Sequence, residues 1–123
     1  MRQPRLENLT VDQLVERFTA VTLDQDKALR TRNQARFNRL FDEMEAVKQE
    51  LKARDGDQRR ALLRLYDHSN PQVRLKAVKA TLAVAPEPAL RLLKEIAESR
   101  EYPQAGEAGM SLFNLKQGIF KPS

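Results

Sequence analysis

The sequence predicts an all-α protein, a short α–α superhelix of about six helices in three antiparallel hairpins. Three observations carry this prediction. Apolar residues recur three and four apart over most of the chain, and no run alternates apolar with polar as a half-buried strand does. Residues that open or stop helices stand between those stretches, at Thr10, Gly56, Asn70 and Pro86. Finally, the dipeptide Pro71-Gln72 returns 32 residues later as Pro103-Gln104, a period in the range of solenoid repeats.

Thr10-Val11-Asp12-Gln13 has capping-box spacing, with Thr at the cap and Gln three residues on. The helix it opens shows Val11, Leu14, Val15, Phe18, Val21 and Thr22 on one face and continues to Ala28 and Leu29. Arg30-Thr31-Arg32-Asn33 interrupts the pattern and reads as the turn. A second helix follows from about Gln34 to Arg54, with Phe37, Leu40, Phe41, Met44, Val47 and Leu51 inward and Arg39, Asp42, Glu43, Gln49 and Glu50 outward. Each of these helices has a single apolar face. Residues 10–54 are therefore expected to form a hairpin that closes one end of a core, as the terminal unit of a stack must.

Asp55-Gly56-Asp57 stops the second helix with a left-handed Gly and caps a short third one with Asp. That third helix turns Ala61, Leu62, Leu63, Leu65 and Tyr66 inward. Asn70 then caps the fourth, and Pro71 suits its first position, where the N–H that proline lacks would have had no partner. On a helical wheel the apolar side chains of this fourth helix cover an arc of roughly 220°, about twice the stripe of a surface helix. Only the strip Gln72, Lys76, Lys79 and Ala83 is left for water. A helix so apolar needs neighbours on several sides, so it is expected in the middle of a stack. It ends near Val84, because Pro86 and Pro88 cannot continue it. The fifth helix carries Ala89, Leu90, Leu92, Leu93, Ile96 and Ala97, and the sixth Ala105, Ala108, Gly109, Met110, Leu112, Phe113 and Leu115. On the 32-residue offset Val73 meets Ala105, Ala77 meets Gly109, Val78 meets Met110 and Ala80 meets Leu112. The expected organisation is one domain over 1–123: the N-terminal hairpin, a repeat at 57–84, a second at 88–116, and a tail at 117–123.

The run from Leu62-Leu63 through Asp67 and Asn70-Pro71-Gln72-Val73-Arg74 to Ala77, Ala80 and Leu82 resembles a HEAT repeat, of the HEAT/armadillo-like class. There a helix ends at an acidic turn, Pro opens the second helix, and Val-Arg precedes small core residues. In the second copy Gly106 takes the place of the Arg. The whole chain also resembles a family of small bacterial domains of unknown function. This resemblance rests on the Leu9-Thr10-Val11 entry, Asn38-Arg39-Leu40-Phe41-Asp42-Glu43-Met44, Pro71-Gln72-Val73-Arg74 and the Gly118-Ile119-Phe120-Lys121-Pro122 tail, and it implies a bacterial helical-repeat protein without implying an activity.

Composition narrows the function classes. The chain is 41% hydrophobic and 32% charged, which suits helices with wide solvated faces. No apolar run approaches the roughly 20 residues of a membrane span, and Met1-Arg2-Gln3-Pro4-Arg5 leads into a polar helix instead of a signal core, so a cytoplasmic protein is expected. The absence of Cys removes disulfides, thiol nucleophiles and thiolate metal sites. His68 is the only His, and no Ser or Cys nucleophile or Gly-rich anion cradle is placed to complete a site with it. Asp42, Glu43, Glu45 and Glu50 spread over a solvated face and no Glu-x-x-His occurs. The expectation is no enzyme, no cofactor and no metal.

A net charge of +5 and a pI of about 9.8 make a polyanion a legitimate partner. Lys27, Arg30, Arg32, Arg36 and Arg39 surround the first turn with no acidic residue between Lys27 and Arg39. In a HEAT-like stack the second helices line the groove, which places Lys76, Lys79 and Gln72 there, with Arg91 and Lys94 in the same half of the chain. Arg74, Asp67, Asn70 and Pro71 are structural instead: Arg74 lies on the apolar arc, so its head should tie the turn to the next helix. The favoured reading is a protein-interaction module whose groove docks an acidic partner, a toxin it neutralises or a protein it scaffolds. The alternative is binding of a nucleic-acid phosphate backbone through the same groove. The chain is expected as a monomer or as a homodimer through Tyr102, Phe113, Ile119 and Phe120.

Overall fold

The computed structural model describes residues 5–123, and the reading of Met1 to Pro4 lies outside them. Among the described residues every regular element is helical: α1 (Val11–Arg30), α2 (Gln34–Ala53), α3 (Pro71–Thr81), α4 (Pro86–Glu98) and α5 (Gln104–Lys116), with 3-10 turns at Leu6–Asn8 and Gln58–Leu65. The chain divides into two compact units, Met1–Ala61 and Leu62–Ser123.

In the first unit α1 and α2 form the expected hairpin. Thr10 caps α1 by accepting from the Gln13 N–H at 3.1 Å, while the Gln13 side chain accepts from the Thr10 N–H at 2.9 Å. The buried face of α1 is Leu14, Val15, Phe18, Val21, Thr22, Gln25 and Ala28. Against it α2 buries a narrower seam than its composition suggests: Leu40, Met44, Val47 and Leu51. These four recur at three and four residues and share one line, whereas Phe41 sits 100° round from Leu40 and is 40% exposed. Arg54 fastens the entering chain, donating from Nη2 to the carbonyls of Leu6 and Leu9 at 3.1 and 2.8 Å while Nε holds Glu50 at 2.7 Å. Gly56 stops the hairpin with φ +78°, as its position predicts.

The second unit is built on α3. Asn70 Oδ1 accepts from the Gln72 and Val73 N–H groups at 2.8 and 3.3 Å, and Pro71 is the first helical residue. Its core holds Leu75, Val78 and Leu82 against Ala89, Leu93 and Ile96 of α4 and Ala108 of α5, with Tyr66, Leu112 and Phe120 packed at the edge. Eight of the eleven residues of α3 are buried, so the helix is covered more completely than its apolar arc requires. The third expected helix is a 3-10 segment. Its apolar side chains still turn inward at Leu62 and Leu65, so the hydrophobic pattern is met by a tighter winding.

Candidate functional site

Three polar or apolar features of the two units could meet a partner. The first lies between α3 and α5. Gln104 Nε2 donates to Gln72 Oε1 at 2.9 Å, and both side chains are buried. These are the residues that the 32-residue offset makes equivalent, so α3 and α5 lie side by side with their first turns in register. One turn on, Glu107 Oε2 accepts from Lys76 Nζ at 2.7 Å and from Lys79 Nζ at 3.1 Å. Burial pushes the Glu107 carboxyl up, but the charges and hydrogen bonds of Lys76 and Lys79 outweigh it and hold the group below the usual carboxylate range. Half of the strip that the wheel left to water is thus internal, while Lys79 is half-buried and Ala83 exposed. Gln72 is buried and the Lys76 side chain is 7% exposed, because α5 brings its own polar residues across to meet them. A wheel shows which way a side chain points from its own helix, and it cannot show that a repeat-equivalent helix presents a matching carboxylate.

Arg74 makes two contacts away from its own helix. Nη1 donates to the His68 carbonyl at 2.7 Å and Nη2 to Glu101 Oε1 at 3.0 Å, tying the Asp67–Asn70 turn to the connection before α5. His68 Nδ1 accepts the Asn70 N–H at 3.0 Å, a turn-stabilising role. Arg91 and Lys94 are exposed on α4. Arg91 lines an open groove of about 480 Å³ with Arg64, Tyr66, Asp67 and Glu95, a lining of mixed charge. No group of three potential metal ligands occurs among the described residues.

The second feature is the outer face of α5. Tyr102, Met110 and Phe113 are 71%, 62% and 55% exposed, and the helical repeat sets Gly106, Met110 and Phe113 along one line. A Cβ at Gly106 would touch only the Tyr102 ring, at 3.9 Å, and one at Gly109 would meet nothing within 4 Å. Nothing inside the fold calls for glycine at either position. Ile119 is also exposed beyond the helix, where Gly118 at φ +72° turns the chain back, while Phe120 packs partly against the core. Of the four C-terminal residues singled out in the sequence, three are on the surface and Phe120 is not fully so. Met110, one of the apolar residues of the sixth expected helix, also lies on the surface.

The third feature is the α1–α2 turn, where Lys27, Arg30, Arg32, Arg36 and Arg39 are all exposed. Residues 12–116 match a family model described as a domain of unknown function, DUF2019. The chain belongs to the DUF2019 family. The DUF2019 match runs from α1 to the end of α5, so it takes in the basic turn, the α3–α5 polar pairs and Met110 and Phe113, and leaves out Ile119 and Phe120. Among solved structures, the chain is similar to the crystal structure of the protein RPA1889 from Rhodopseudomonas palustris CGA009, at 51% identity and a TM-score of 0.94. That likeness covers 98% of this chain and 100% of the other. No curated protein matches.

Proposed function

We propose that this member of the DUF2019 family is a non-enzymatic docking module of the bacterial cytoplasm whose α5 face receives an apolar helix of an acidic partner protein. The observation that carries the reading is the solvent-facing pair Met110 and Phe113 on α5 with exposed Tyr102 near Gly106, three large apolar side chains beside two glycines that leave room for a close approach. Aromatic and Met side chains of this kind are the usual anchors of protein interfaces. Arg100, Lys116 and Lys121 are exposed in this part of the chain against Glu98 and Glu101, a small excess of cations that favours an acidic rim on the partner. Within residues 62–123 the register of Gln72 on Gln104 supports a HEAT-like pairing of repeats, an architecture that presents surfaces of this sort. Acidic docking is thereby moved from Lys76 and Lys79, which hold Glu107, to α5.

The test compares capture from a bacterial lysate by the wild-type chain and by the Met110→Glu/Phe113→Glu variant. Both sites are exposed, so the variant should keep the wild-type circular dichroism. The expected result is one acidic protein held by the wild type and bound at least tenfold more weakly by the variant, about the loss of one anchor residue. An identical set of retained proteins overturns the proposal, as does light scattering that finds a dimer which the variant dissociates.

A further inference from the structure

The α1–α2 turn carries a feature that the α5 reading does not use. Between residues 24 and 39 stand five cations and two carboxylates. Asp26 pairs with Arg30 at 3.0 Å, and Asp24 reaches Arg36 only at 3.9 Å. Lys27, Arg32 and Arg39 extend into water from the end of α1, the turn and the second turn of α2. Asp42 and Glu43 follow Arg39 by three and four residues, neighbouring it on α2, and mark where the basic stretch ends.

We propose that the α1–α2 turn grips the phosphate backbone of a nucleic-acid duplex without reading its sequence. The chemistry of the turn selects this occupant over the others that a basic patch attracts. Thr31, Asn33 and Gln34, the neutral residues at the tip, are polar and exposed, so no apolar wedge enters a membrane there. No aromatic ring stands at the tip to anchor a protein or to stack an unpaired base, since the nearest, Phe37, is half-buried on α2. What the turn offers is guanidinium and ammonium groups, which contact phosphate, while the Thr31 hydroxyl and the Gln34 amide are engaged within the hairpin, with the Lys27 carbonyl and Asn38 Oδ1, each at 2.8 Å. Arg32 lies in the turn itself, just beyond α1, at φ +53°.

The test is fluorescence anisotropy of the full chain with a labelled 20-base-pair DNA duplex and its RNA counterpart, both of scrambled sequence. Binding is expected at 50 mM salt, falling about 40- to 500-fold by 200 mM as three to five phosphate contacts release their counterions. Arg32→Asn/Arg39→Gln should lower the steepness of the salt dependence by about two contacts, with unchanged circular dichroism, because Asn tolerates positive φ. Reversing two cations elsewhere, Arg91→Glu/Lys94→Glu, should leave most of the affinity, and so should Met110→Glu/Phe113→Glu, which separates this site from the α5 face. No binding at 50 mM salt overturns the proposal. So does an equal loss from the α4 charge reversal, or binding to phosphatidylserine vesicles in preference to duplex.

Discussion

Leu75→Ala should cost about 3 kcal/mol of stability and lower the melting temperature by roughly 10–15 °C. Leu75 is fully buried in the centre of α3, packed in the cluster that joins α3 to Leu93 and Ile96 of α4 and to Ala108 of α5. Removing its branched end loses transfer free energy and leaves a cavity, and three helices meeting round one side chain have little freedom to close it. Urea denaturation checks the value. A loss below about 1 kcal/mol would mean that α3 lies at an edge that collapses easily, against the covered position described for it. Because α5 rests on this cluster, the variant should also weaken any binding through Met110 and Phe113, which distinguishes it from changes on the surface.

Glu107→Gln should destabilise the chain by about 2 kcal/mol at pH 7, since it removes a charge-assisted acceptor from Lys76, whose side chain is almost wholly buried, and from Lys79. Its pH dependence is the sharper test. The folded Glu107 carboxyl titrates below its ordinary value of 4.5, so the unfolded chain takes up the proton first as pH falls. The stabilisation is therefore complete above about pH 4.5 and is lost as pH drops through the lower folded value. The stability gap between wild type and variant should be full at pH 7, shrink below pH 4.5 and close in stronger acid. A gap that is constant with pH, or absent at pH 7, would contradict the pairing of Glu107 with the two lysines.

The helices were legible because their signals are local. Thr10 with Gln13, Gly56, and Asn70 with Pro71 act within one turn, and each acts as its residue type predicts. The all-α class and the burial of α3 follow from the same periodicities. What local signals could not carry is the meeting of residues far apart in sequence. Lys76 and Gln72 looked wet on their own helix, and only the approach of α5, bringing Glu107 and Gln104, makes them internal. The 32-residue repeat held that information, because it aligned Gln72 with Gln104 before any contact was known. The outer face of α5 failed for the opposite reason: Met110 and Phe113 have helical spacing that looks like core, and spacing does not tell a face covered by the same chain from one left open.

The docking reading is tested most directly by placing a photo-crosslinking amino acid at Met110, irradiating cells that carry the chain, and sequencing the attached peptide by mass spectrometry. The account predicts a single adduct, to an amphipathic helix with an acidic rim in another protein, and its loss when Phe113 is also changed to Glu. An adduct to a second copy of this chain, or none above the level of the same label at exposed Glu95, would contradict it.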